Sequence, residues 1–123
     1  MTGLDQAYDW RELRNESGDR LKAALVAHLV AVATGVPAQA VLGTNGKAVA
    51  VVRARQIAIY LAHTGLGWPQ ERVGAAFRRD RSTVSHSCAR VEDWRGDEAF
   101  DRQLSELEAC LQAAPSTPSE RAL

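Results

Sequence analysis

Between Val73 and Val91 the chain reads Val-Gly-Ala-Ala-Phe-Arg-Arg-Asp-Arg-Ser-Thr-Val-Ser-His-Ser-Cys-Ala-Arg-Val. Apolar residues recur at helical spacing on both sides of a short polar break: Val73 and Phe77 before it, Val84, Cys88 and Val91 after it. Two helices joined by a three-residue turn satisfy the pattern, and the second exposes a basic, hydroxyl-rich face. That is the arrangement of a helix-turn-helix, whose second helix enters the DNA major groove.

The 123 residues suffice for one domain with a modest core. No apolar run is long enough to span a membrane; the stretch from Ala23 to Ala33 is short and interrupted by His28. The polar, acidic start of the chain does not read as a secretory signal. Cys88 and Cys110 make no disulfide framework and lack the partners of a zinc site. These features point to a cytoplasmic protein.

The formal net charge is zero, but its distribution is uneven. Residues 1–46 hold 4 Lys/Arg against 5 Asp/Glu, residues 47–95 hold 9 against 4, and residues 96–123 hold 2 against 6. The positive charge therefore coincides with the helix-turn-helix. Salt screens charges beyond about 10 Å, so the local excess governs phosphate contact.

The periodicity predicts an all-α, compact bundle of five to six helices. Residues 1–16 lack a clear period and are expected to be a flexible arm, with Tyr8 and Trp10 as candidates for packing on the domain or a partner. The domain is expected over residues 17–113. Ser17 is placed as the cap of a first helix from about Gly18 to Thr34, with Leu21, Leu25, His28, Leu29 and Val32 as its inward stripe. Gly35 ends it, Pro37 to Leu42 forms a short turn of helix, and Gly43 to Gly46 is a loop. A central buried helix follows from Val49 or Val52 to His63. Pro69 opens the first half of the helix-turn-helix, which runs to Phe77. Asp80 caps the second half, which runs to about Arg95. Asp97 caps a final helix to about Ala113, with Phe100, Leu104, Leu107 and Leu111 facing inward. Pro115 to Ser119 marks residues 114–123 as a disordered tail.

With Val84, Cys88 and Val91 inward, the second half presents Arg81, Ser82, Ser85 and Ala89, with His86 nearby. Arg81 can form a bidentate pair with guanine O6 and N7. Ser82 and Thr83 can bond phosphate or a base edge, and Thr83 can also touch a thymine methyl. Asp80 has two readings, a helix cap and an acceptor for cytosine N4. His86 is either a specific contact or a surface residue facing phosphate and water.

This segment, together with Arg53-Ala-Arg-Gln-Ile-Ala-Ile-Tyr-Leu-Ala62 upstream, resembles the DNA-binding C-terminal domain of the bacterial replication initiator DnaA. The resemblance covers about residues 18–112. It implies contact with DNA by Asp80, Arg81, Ser82 and Thr83, with His86 in support. It also implies that a basic loop feeds an arginine into the minor groove, and Arg53 matches that arginine best. A narrow A·T-rich groove, with its strong negative potential, suits such a side chain. Lys47, Arg55 and Gln56 are further candidates on this side, as are Arg78, Arg79 and Ser85 around the turn. The chain departs from the family pattern where Arg81 stands in place of histidine. Its turn is also one residue shorter, and Arg78 and Arg79 replace the turn's usual glycines.

No part of the chain corresponds to the ATP-binding and oligomerising parts of the initiator. Gly46-Lys47 is no phosphate loop, because Val41 and Ala48 occupy the positions that need Gly and Ser or Thr. No nucleophile, carboxylate pair or metal set stands out, so no enzyme, metal or cofactor is expected. The expected partner is double-stranded DNA, bound by a monomer or weak dimer that modulates replication initiation or transcription. The alternative is a protein-interaction module docking on DnaA or another replication protein, which the acidic last helix with its leucine stripe favours.

Overall fold

The computed structural model describes residues 10–116, with side chains from residue 18 onward. The described residues form six helices: α1 (Trp10–Thr34), α2 (Ala38–Leu42), α3 (Val49–Thr64), α4 (Gln70–Phe77), α5 (Arg81–Trp94) and α6 (Glu98–Ala113). The bundle is all-α, as expected. Helix α3 is its axis: Ala54, Ile57 to Ala62 and Arg55 are all buried, and α1, α2, α4, α5 and α6 pack around it. No helix among the described residues is long and apolar enough to cross a membrane.

Helix α1 corrects the sequence reading twice. It starts at Trp10, well before Gly18, so Ser17 lies inside it and does not cap it, and residues 10–16 belong to a helix. Tyr8 and the rest of residues 1–9 lie outside the described residues. The inward face is also not the leucine stripe. Ala23, Val26, Ala27 and Val30 are fully buried, whereas Leu21 is 62% and Val32 is 87% exposed. Leu25 and His28 are exposed as well, and Leu29 is half-buried. The buried row is made of small side chains, and so is the α3 face with Ala54, Ala58 and Ala62. Small side chains on the buried row let α1 lie close against the bundle, whose interior packs densely.

Other boundaries follow the expectation closely. Gly35 takes a left-handed φ of 79° and ends α1. Asp97 accepts the Phe100 amide at 3.0 Å and caps α6. Leu104 and Leu111 of α6 are buried, with Phe100 and Leu107 half-buried, so this stripe belongs to the core. The chain beyond α6 returns to α1, where the buried Lys22 ammonium donates to the Pro115 carbonyl at 3.0 Å. The Pro115 carbonyl is thus bonded, and residues 117–123, most of the expected tail, lie outside the described residues.

Two polar clusters tie the helices together. Arg72 of α4 grips Asp19 of α1 through Nε at 3.1 Å and a second nitrogen at 2.7 Å, while its guanidinium lies 4.3 Å from the Trp68 ring centroid. Arg95, just after α5, bonds Asp101, Ser105 and Glu108 of α6 and the Tyr60 hydroxyl of α3. Tyr60 in turn donates to Glu92 of α5 at 2.6 Å. Burial and that carboxylate push the Tyr60 hydroxyl above its ordinary pKa. The second cluster locks α5 and α6 onto the axis.

Candidate nucleic-acid interface

Helices α4 and α5 form the helix-turn-helix, and the turn between them is Arg78 to Asp80. Gly74 makes the turn possible. A β-carbon there would stand 2.6 Å from the Arg79 carbonyl oxygen, so only glycine fits. The Arg79 amide donates to the Gly74 carbonyl at 2.8 Å. Arg78 takes the left-handed conformation, φ 57° and ψ 47°, that glycine normally supplies after a helix. The three-residue turn is therefore achieved at some backbone strain.

Asp80 begins α5 as its cap. Its Oδ1 accepts from the Thr83 amide at 2.7 Å and from the Ser82 hydroxyl at 2.9 Å. The Thr83 amide, with the hydroxyls of Thr83 and Ser82, holds this carboxyl below the usual carboxylate range. It is thus an anion at neutral pH, placed where the positive end of the helix favours one.

The faces of α5 divide clearly. Val84, Ser87 and Val91 are buried and Cys88 is half-buried; Ser87 joins the core although the sequence reading passed over it. Burial pushes the Cys88 thiol up, away from reactivity. Arg81, Ser82, Thr83, Ser85, His86, Ala89 and Arg90 are exposed. Ser82, Ser85 and Ala89 are short, so little along their row holds the helix off a groove floor, and His86 stands beside it. The Arg81 guanidinium lies 3.5 Å from Glu71, both being largely exposed, which makes a weak pair that another partner can displace.

The candidates upstream separate. Arg53, at the start of α3, is exposed and reaches α5: its guanidinium carbon is 5.7 Å from the centroid of the Trp94 ring. Lys47 is exposed in the loop before α3, and Gln56 is half-buried. Arg55 is a correction. It is buried and donates to the carbonyls of Ala40 at 2.9 Å, Gly46 at 3.1 Å and Val41 at 3.3 Å. Those bonds close the end of α2 and fix the following loop, so Arg55 leaves the predicted interface. Burial, then repulsion from Arg79, lowers its pKa. Arg79 is half-buried and donates to the Gly43 carbonyl at 3.2 Å, so it too acts first as a brace. Arg78 remains exposed.

Arg90 was missed in the sequence reading. Its guanidinium carbon lies 5.8 Å from the same Trp94 ring that Arg53 approaches. The signal was available, because residues four apart in a helix are neighbours. Exposed cations therefore stand at both ends of α5, with Arg78 and Arg81 at its start and Arg53 and Arg90 toward its end. The 14-residue helix between them spans about 20 Å.

A family profile described as "Bacterial dnaA protein helix-turn-helix" matches residues 23–91, more than half of the chain. This protein belongs to the bacterial DnaA helix-turn-helix family. Neither a curated protein nor a solved structure matches the chain. The family is one of DNA-binding, not catalytic, domains, and membership supports double-stranded DNA as the ligand. The match covers α4 and ends at Val91 within α5, so the last turn of α5 and all of α6 lie beyond it.

Proposed function

We propose that this chain reads DNA sequence by laying α5 in the major groove while Arg53 reaches the adjacent minor groove. The observation that carries this reading is the outward face of α5: the short row Ser82, Ser85 and Ala89, cations at both ends, and a capped start. In this arrangement Arg81 pairs with guanine, Ser82, Thr83 and Ser85 bond phosphate or base edges, and Asp80 adds a cytosine contact to its capping role. Arg78, His86 and Lys47 contact the backbone. Gln56 is only half-buried and can support Arg53 at the groove edge. The protein acts beside the nucleoid in the cytoplasm, at initiator-type sites, where it modulates replication initiation or transcription.

Selection from a random duplex pool tests this. The wild type should enrich one sequence. Arg81→Ala should lose about 1–3 kcal/mol on that sequence and relax preference at one or two base pairs. A pool without enrichment contradicts the major-groove reading.

The second reading, docking on the initiator DnaA, no longer rests on α6, whose stripe is core. One observation still favours it: the exposed row Leu21, Leu25, His28 and Val32 on α1. Under this reading, Leu21→Gln with Val32→Gln abolishes capture of purified DnaA and leaves duplex binding intact.

A further inference from the structure

Trp94 sits at the C-terminal end of α5, half-buried, at a junction no DNA contact explains. Two guanidinium groups from different helices converge on its ring, Arg53 at 5.7 Å and Arg90 at 5.8 Å from the centroid. The ring is itself held in place. Phe100 of α6 meets it edge-on, with centroids 6.3 Å apart and planes at 80°. Arg95, the next residue, is anchored by its bonds to α3 and α6. Arg53, Ile57, Asp93, Trp94, Gly96, Asp97 and Phe100 line an open cleft of about 490 Å³ beside this junction.

We propose that Trp94 is a positioning residue for DNA binding, a fixed aromatic platform that holds Arg53 and Arg90 out toward the phosphate backbone and groove; this rests on the DNA-binding reading above. An arginine is a long chain with many rotamers, and ordering it on a ligand costs conformational entropy. A cation resting on an indole is already partly ordered, and its free N–H groups remain available at the guanidinium edge. The neighbouring carboxylates Asp93 and Asp97 repel phosphate, so the backbone is met by the two arginines and does not enter the cleft. Trp94 and Phe100 both lie beyond residue 91, so the segment outside the family match completes the interface.

The test is a mutant cycle on the duplex enriched by the wild type, at fixed salt. Trp94→Leu should weaken binding about three- to tenfold, because both arginines must then be ordered on the duplex from a freer state. Trp94→Phe, which keeps an aromatic face, should recover most of that loss. In an Arg53→Ala/Arg90→Ala background, Trp94→Leu should change affinity less than twofold. In the free protein, the ring-current shift of the Arg53 and Arg90 side-chain protons should vanish in Trp94→Leu and persist in Trp94→Phe. This readout does not depend on DNA. An equal loss in both backgrounds, or no loss in the wild-type background, overturns the proposal while leaving DNA binding standing. A wild type that binds no duplex overturns the functional reading with it. Should Trp94→Leu not fold, the cycle between Trp94→Phe and the two arginine variants and the proton shifts decide the matter.

Discussion

The Gly74 carbonyl accepts the Arg79 amide at 2.8 Å, and the Arg79 carbonyl passes 2.6 Å from where a Gly74 β-carbon would stand. The helix-turn-helix is built on this contact. Gly74→Ala would gain about 1 kcal/mol of helix propensity. The clash is with backbone, however, so no rotamer relieves it, and overpacking costs about 1–3 kcal/mol. The clash should win. Thermal unfolding is expected to show a lower Tm, and a raised Tm would show that the turn can open without loss.

Arg78 holds the left-handed position after α4. Arg78→Gly should stabilise the fold by about 1 kcal/mol, since relief of about 1–2 kcal/mol is offset in part by glycine's unfolded-state freedom. The same change removes an exposed cation, so the salt dependence of duplex binding should fall by about one counterion. Denaturant titration and binding at several salt concentrations measure the two effects separately. Loss of stability would mean that the Arg78 side chain makes a contact worth more than the strain.

The depressed pKa of Asp80 carries a pH signature. Its carboxylate stabilises α5 fully above the ordinary aspartate value of about 3.9, and that contribution is lost as pH falls through the lower folded value. Protection of the Thr83 amide should therefore be constant near neutrality and decline only in acid, below about pH 4. Asp80→Asn, which still caps, should flatten the acid limb. An unchanged acid limb in that variant would assign the effect to another carboxylate.

Leu104 is buried and Leu21 is exposed, so the two leucine rows should respond in opposite ways. Leu104→Asp buries an unpaired carboxylate and should unfold the domain or lower its Tm steeply. Leu21→Gln should fall within about 0.5 kcal/mol of the wild type, as surface changes do. Equal Tm losses would return the α1 leucines to the core.

Much of this architecture was legible because local chemistry and tertiary packing agree. Gly35, Asp80 and Asp97 mark helix ends by their own bonding, and the turn from Arg78 to Asp80 stands between two apolar rows. The face of α1 was not legible for a definite reason. Two apolar rows at helical spacing run along it, and hydrophobicity favours the larger one, Leu21 to Val32. The choice is made by the packing of α1 on α3 and α4, which are distant in sequence. That Arg55 faces away from Arg53 is legible in the sequence. Residues two apart on a helix point to different sides, so Arg53 and Arg55 cannot share one groove. The Arg90–Trp94 pair was legible at i, i+4 spacing, but the contacts of Trp94 with Arg53 and Phe100 come from other helices.

Binding of duplex DNA by the basic face of α3 and α5 is tested most directly by the salt dependence of affinity. Log K against log salt should fall with a slope of several units in the wild type, because each neutralised phosphate contributes about 0.9. Arg53→Ala should reduce that slope by about one. A wild-type slope near zero, or an Arg53→Ala slope equal to that of the wild type, would contradict the assignment of this face to DNA.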